Sequence, residues 1–470
     1  MRLTHKSQSA LEYMMTYGWA ILIIVIVAVI LYSMGIFNPS SSVTFTSSGF
    51  SPFIISSALC NNLGLNLAVE AGPIPNNAPY LQIKKVFVTS SSAVNTTTAS
   101  YSLPSPITLK SGQTANILVP DIACNTAKSR YTIAANLQYY YSAAGLAVNT
   151  NTTGTIAGTS ISGKPSVITS YVPVSITNTQ SSSIPQPFQQ MVNITSLDSG
   201  WTDIASSPFG QNVEFFYYNG TIIPSWLENY TSNHALYWIK TESIPASSSI
   251  TVYMGFAPTS TNLFNTVNVG EAPQLSATYG QYDDGANVFN FYDNFAGTSL
   301  PSGWAVYSGG GSYSVNNGLI VTSTSSSSTE SIESPTFNSN PGIVEWLSAP
   351  FINSVSGDLQ EGMGPFNCPD PGRFFYDLSP SSAEIFTGGS VNLQNNINNN
   401  IFGYVFNGTN STFSFNYKTV DVTPAGNPYP DVFCDGNQNT GTSMPMLMWF
   451  RVRAYPPAGV MPSVTFGSVS

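Results

Sequence analysis

Residues 13–37 contain no charged side chain. At 1.5 Å rise per residue a helix over this run is about 37 Å long, more than a bilayer's hydrocarbon core of about 30 Å. Arg2, His5 and Lys6 precede the run, and no basic residue follows it closely. That asymmetry predicts a single-pass membrane helix with its N-terminus in the cytoplasm and everything from Asn38 onward outside. Pro39 cannot continue the helix, so residues 38–42 read as a linker. Whatever follows must fold at the cell surface.

Glu12 stands at the mouth of this apolar run, where a carboxylate drawn to mid-membrane costs about 2.5–3.5 kcal/mol. The string Lys6-Ser7-Gln8-Ser9-Ala10-Leu11-Glu12, followed by YGWAILIIVIVAVIL, resembles the class III signal of archaeal type IV pilins. The resemblance implies cleavage by a prepilin peptidase between Ser7 and Gln8, although the family more often has Gly or Ala before the cut. It also implies that Glu12 pairs with the new α-amino group of a neighbouring pilin-like subunit. A buried carboxylate is tolerated once an opposite charge sits beside it. The alternative reading is an uncleaved anchor with Glu12 at the headgroup level.

Beyond Pro39 the helical period does not return for any long stretch. Strand-length runs rich in β-branched and aromatic residues recur instead, separated by Ser, Gly, Asn and Pro. The expected fold is therefore mainly β: an N-terminal transmembrane helix (1–37), the linker, and three β-sandwich modules. Residues 43–163, with runs at 81–89, 114–119, 131–141 and 154–161, read as an immunoglobulin-like sandwich, and 108–119 as a hairpin turning at Ser111-Gly112. Residues 164–285 carry Ser225-Trp226-Leu227-Glu228, Trp238-Ile239-Lys240 and Val252–Gly255 in an order that resembles the domain of unknown function 2341. Residues 286–470 open with Phe291-Tyr292-Asp293-Asn294-Phe295, Trp304 and Asn316–Val321, which resemble the start of a concanavalin A-like (laminin G-like) jelly roll. Further strands are expected at 343–347, 403–406, 412–420 and 446–453.

Charged residues make up only 8% of the chain and the formal net charge is −10. With no basic stripe, nucleic acid is excluded as a partner. Few carboxylates also means few ion pairs for acid to break, which suggests tolerance of acidic surroundings. Cys60 and Cys124 lie in the first module, Cys368 and Cys434 in the last. Outside the cell one disulfide within each module is the economical assignment, the alternative being four reduced thiols. Asn-x-Ser/Thr sequons at Asn95, Asn151, Asn193, Asn219, Asn229, Asn407 and Asn410 are candidate glycosylation sites.

No string places two carboxylates at alternating positions of one strand, as glycosidases on jelly rolls require. The two histidines are His5 and His234, and the second falls in an expected turn. No enzymatic activity and no cofactor are expected. Asp283, Asp284 and Asp293 flank the jelly-roll opening as candidate ligands for a structural calcium, although Asp-Asp-Gly is also an ordinary turn. Trp304, Trp346, Tyr307 and Tyr313 are candidate sugar platforms. These features predict a membrane-anchored or pilus-incorporated archaeal surface protein for adhesion or envelope structure, of minor or tip subunit type. The alternative is a membrane-anchored carbohydrate-binding protein without a filament, its partners surface glycans. An extracellular glycosidase fits least.

Overall fold

The computed structural model describes residues 18, 21–23, 25–26, 45–75, 78–92, 98–120, 122–124, 129–143, 146–195, 210–231, 234–308, 312–322, 330–335, 342–348, 359–364, 375–379, 382–386, 390–394, 400–406, 410–424, 432–437 and 446–470. Ser7, Gln8, Glu12, Asn95, Cys368 and Asn407 fall outside this set, and of Asn410 and Cys434 only the backbone is described. Among the described residues no helix is long and apolar enough to cross a membrane. The described positions of the N-terminal run are helical, and Ile21, Ile23 and Val25 are each more than half exposed.

The chain forms two compact units, Met1–Pro165 with Tyr218–Gly220, and Ser166–Tyr217 with Thr221–Ser470. In the first, a five-stranded antiparallel sheet orders Thr46–Gly49, Leu146–Thr159, Arg130–Ala143, Leu81–Ser92 and Ala99–Leu109. A three-stranded sheet orders Phe53–Asn61, Gly64–Ala71 and Thr114–Val119. Alternation explains the sandwich: Leu65, Leu67 and Val69 of one sheet meet Ile83, Val86, Ile133 and Leu137 of the other in one core. Cys60 and Cys124 form the expected disulfide, closing a separation of 64 residues. The expected hairpin at 108–119 is corrected. The chain does turn at Ser111-Gly112, where Gly112 has φ +78°. Yet the strand before it pairs with Leu81–Ser92 and the strand after it with Gly64–Ala71. The turn thus carries the chain from one sheet to the other.

The second unit contains two sheet pairs. In the first pair, a four-stranded sheet orders Phe188–Ile194, His234–Thr241, Ser225–Thr231 and Val269–Glu271, the last pairing in parallel. It packs on a five-stranded sheet of Ile222–Ile223, Val213–Phe216, Ser248–Phe256, Ser170–Asn178 and Ser463–Phe466. In the second pair, a sheet runs Ser312–Val315, Leu319–Thr322, Leu447–Ala454, Gly342–Ser348, Asn400–Phe406, Asn410–Phe415 and Lys418–Pro424, with Phe291–Asp293 also on Leu447–Ala454. A seven-stranded sheet spans Ala305–Ser308, Glu330–Glu333, Val432–Asn437, Leu359–Gly364, Phe375–Ser379, Ser382–Phe386 and Ser390–Gln394.

Two expectations for the last module change. The run expected as one strand over 412–420 is two strands joined at Asn416-Tyr417, where both residues have positive φ (46° and 65°), as a two-residue type I′ turn requires. The third module does not keep the chain to residue 470. Ser463–Phe466 pairs with Ser170–Asn178, and Val464 and Phe466 pack on the core of the first sheet pair.

Candidate functional site

The strands that build the centre of the second unit are buried on both faces. Ser225–Thr231 begins with four buried residues, and Gly342–Ser348 is buried throughout. In such strands successive side chains enter different cores. Leu227, Tyr237 and Ile239 point into the first sheet pair, while Trp226 and Trp238, direct cross-strand partners, point the other way. From the opposite sheet Trp346, Phe450 and Val452 enter the core that also holds Ile332. Leu347, Ile401 and Trp449 instead share a second core with Trp226, Trp238 and Phe289.

Into this seam the fold places four charges. Arg451 lies fully buried, with Nη1 2.8 Å from Glu228 Oε2 and Nη2 2.7 Å from Glu345 Oε2. Arg453 Nη2 donates to Glu345 Oε1 at 2.7 Å. The Arg451 guanidinium is also 4.6 Å from the Trp238 ring centre, 4.7 Å from Phe289 and 4.7 Å from Trp449. Cation–π attraction is strongest in such desolvated surroundings. Burial pushes the Glu345 carboxyl up, but Arg453 and Arg451 outweigh it and hold the group below its ordinary value. Arg451 is raised despite burial, by Tyr417, Glu345 and Glu228 around it.

Of these four residues, Glu228 lines a cleft. It sits where the pairing of Ser225–Thr231 with His234–Thr241 skips a residue, between Leu227 and Asn229. Such a bulge re-aims a side chain. Its Oε2 accepts from Trp238 Nε1 at 2.7 Å and from the Tyr417 hydroxyl, besides facing Arg451. Among the described residues its Oε1 has a single long contact, 3.4 Å from Asn229 Nδ2. The cleft has a volume of about 380 Å³ and is lined by Glu228, Asn229, Gln274, Leu275, Leu347, Ile401 and Trp449. Its apolar floor is one cross-strand row, because Leu347 stands opposite Trp449 on one side and Ile401 on the other. Trp449 Nε1 is buried without a hydrogen-bond partner among the described residues.

The calcium candidates do not converge. Asp283 uses both oxygens on donors: Trp226 Nε1 (2.8 Å) and the Gly285 amide (3.0 Å) on Oδ1, Tyr292 OH and Asn294 Nδ2 (both 2.7 Å) on Oδ2. Those four groups all donate, which suits a carboxylate that ties a loop together and not one shared with a cation. Asp293 accepts from Trp304 Nε1 at 2.6 Å, and burial lifts it to about 6. Asp284 is buried with neither oxygen partnered among the described residues, and burial, then Asp283, raises it well above the ordinary range. Gly270 makes room for it: a Cβ there would fall 2.1 Å from Asp284 Oδ1. Among the described residues no group of three or more His, Cys, Asp or Glu side chains is arranged to hold a metal.

Of the expected sugar platforms, Trp304 and Trp346 are core residues and Tyr313 is exposed. His234 opens a strand instead of lying in a turn. The sequons at Asn151, Asn193, Asn219 and Asn229 are exposed, the last on the lip of the cleft. Glu228, Asn229, Gln274 and Trp449 escaped notice as a site because they come together only across sheets. A usable signal existed, since charges are rare in this chain and Glu345, Arg451 and Arg453 lie in largely apolar strands.

Residues 209–307 match the family described as Domain of unknown function (DUF2341). The match extends past the module boundary expected at residue 285. "Uncharacterized protein 562" of Sulfolobus islandicus rod-shaped virus 1 is 37% identical over 132 residues, covering 27% of this chain and 22% of the viral protein. The matched region thus spans about a fifth of that relative's length. Among solved structures, a glycosyl hydrolase family protein from Mycobacterium fortuitum overlaps 35% of this chain and 99% of its own, at 13% identity and TM-score 0.27. A glycoside hydrolase family 16 endo-glucanase from Bacteroides ovatus overlaps 34% of this chain and 99% of its own, at 10% identity and TM-score 0.25. The exoplasmic/lumenal domain of VIP36 in its Ca2+/Man2-bound form overlaps 33% of this chain and 84% of its own, at 9% identity and TM-score 0.26. Likeness at this level carries no activity to this chain.

Proposed function

We propose that this chain is a membrane-anchored surface protein that binds carbohydrate through its second unit. The observation that carries the reading is the cleft: an apolar floor of Leu347, Ile401 and Trp449 with the buried carboxylate of Glu228 beside it, beneath an exposed polar rim of Asn229 and Gln274. Ligand sites for small polar molecules combine these two features, apolar area for affinity and a few fixed polar groups for orientation. A glycosidase needs a second carboxyl group across from the first, and Glu228 is the one carboxylate lining the cleft among the described residues. Titrating the detergent-solubilised full chain with neutral oligosaccharides, followed by tryptophan emission and calorimetry, tests the reading. Saturable binding is expected, with no release of reducing sugar. Absence of binding to any glycan on a broad array overturns it.

A second reading, incorporation into a filament through residues 8–37, rests on the N-terminal run. Ile21, Ile23 and Val25 are helical and 59%, 57% and 53% exposed, apolar surface that calls for lipid or neighbouring helices. The measurement is shear-released surface protein from wild type and Glu12→Gln at equal membrane levels. Assembly through Glu12 predicts release from the wild type alone. Equal release from both, or none from the wild type, leaves an anchored monomer.

A further inference from the structure

We infer that the cleft selects a neutral polyhydroxylated ligand, a pyranose without amino or carboxyl groups, and that the recognising acceptor is Oε1 of Glu228. The inference rests on the carbohydrate-binding reading and specifies its ligand chemistry.

Glu228 is 1% exposed, so whatever meets it in the cleft meets a fixed, largely desolvated acceptor. Its two oxygens have different tasks. Oε2 is taken by Trp238, Tyr417 and Arg451, which lock the carboxyl plane. Oε1 keeps acceptor capacity, because its one contact among the described residues, from Asn229, is long at 3.4 Å and a carboxylate oxygen accepts more than one hydrogen bond. A sugar hydroxyl donating there would make a charge-assisted bond, roughly twice as strong as a neutral one.

The charge of Glu228 does not call for a cationic ligand. Two guanidiniums, Arg451 and Arg453, face two carboxylates, Glu228 and Glu345, inside the same seam, so the cluster is balanced before any ligand arrives. An ammonium in the cleft would be desolvated against a cluster of no net charge, and a ligand carboxylate, itself acceptor-only, could give Oε1 no hydrogen bond. A neutral hydroxyl faces neither penalty. The rim supplies the complementary partners: the amide side chains of Asn229 and Gln274 offer both donors and acceptors, and the sugar's C–H face can lie on Leu347 and Ile401.

The full chain is titrated with methyl glucoside, methyl mannoside and methyl galactoside, with their disaccharides, and with glucosamine and glucuronate. At least one neutral sugar should bind at least ten-fold more tightly than both charged ones. Asn229→Ala and Gln274→Ala, at exposed rim positions, should each weaken that binding several-fold with unchanged melting temperature. Leu275→Trp, which fills the cleft, should abolish it. Equal or tighter binding of glucosamine overturns the neutral-ligand inference while leaving carbohydrate binding in place. Undiminished binding by Leu275→Trp of unchanged melting temperature shows that glycans bind elsewhere and overturns the cleft assignment. A folded wild type that binds none of these sugars overturns the inference, and failure on the broad array removes the reading beneath it.

Discussion

Arg451 stands directly opposite Glu345 on the neighbouring strand, and its Nε and Nη2 both reach Oε2 of that carboxylate, at 2.8 and 2.7 Å. The pair occupies one register row, so its geometry is set by the sheet and not by flexible stems. From there the guanidinium extends to Glu228 on the other sheet pair. One side chain thereby ties the two sheet pairs of the second unit together across the core they share.

Removing it should be costly. Arg451→Met leaves Glu228 and Glu345 buried with fewer partners, and breaking one member out of such a cluster costs about 3–5 kcal/mol. Arg451→Lys should recover little of this, because an ammonium lacks the planar fork that serves two carboxylates at once. Equilibrium denaturation followed by tryptophan emission measures both. A loss below about 1 kcal/mol for Arg451→Met would show that the cluster contributes no more than a surface pair.

Stability should rise as pH falls from 8 toward 5. Burial lifts Glu214 to about 7 and Asp293 to about 6, and raises Glu271, Asp283 and Asp284 as well. A carboxyl whose folded value lies above its unfolded one contributes stability that is fully present below the unfolded value. It is lost as pH rises through the folded value. Glu345 runs the opposite way: lowered in the fold, it contributes above its unfolded value and loses that as pH falls further. The melting temperature of the second unit should therefore peak on the acid side of neutrality. Glu214→Gln should flatten the slope between about pH 5 and 7, and a melting curve that falls steadily from pH 8 to 5 would contradict this account.

The Cys60–Cys124 bridge should stabilise the first unit alone. Closing a loop of this length is worth about 4 kcal/mol on the chain-entropy model. Six of the seven tryptophans belong to the second unit and Trp19 alone to the first, so in a Trp19→Phe background tryptophan emission reports the second unit. In the Cys60→Ala/Cys124→Ala variant the far-ultraviolet transition of the first unit should shift to lower denaturant. The tryptophan transition should stay in place.

Deleting residues 457–470 should destabilise the second unit. The deletion removes the strand Ser463–Phe466 and the packing of Met461, Val464, Phe466 and Val469 on the core. Even partial burial of these side chains is worth about 3 kcal/mol in total. A truncated chain with an unchanged tryptophan transition would mean that the strand merely rests on the sheet edge.

Much of the strand pattern could be read from alternation alone, because period-2 patterning records which face is buried. Thr114–Val119 falls where the pattern puts it. The destination of a strand was not legible, as Ser111-Gly112 shows: turn residues specify a reversal, not which sheet receives the next strand. Asn416-Tyr417 misled for a different reason. Its turn uses positive φ at non-glycine residues, so no glycine marks the break, and Tyr417 is held there by contacts to Glu228 and Arg451 that lie far away in sequence. The cleft escaped for the same reason, its rim and floor belonging to different sheet pairs.

The pairing of Ser463–Phe466 with Ser170–Asn178 also reorders the history one would write for this chain. A module joined end to end can be gained or lost by cutting once. Here the last sheet pair is an insertion: the host sandwich starts before it and is completed after it, so both of its ends are sewn into one scaffold. Exchange of that inserted part between related proteins would need two coordinated breakpoints that restore the same closing strand. Substitution within the insertion is then a simpler route to change than wholesale module swapping.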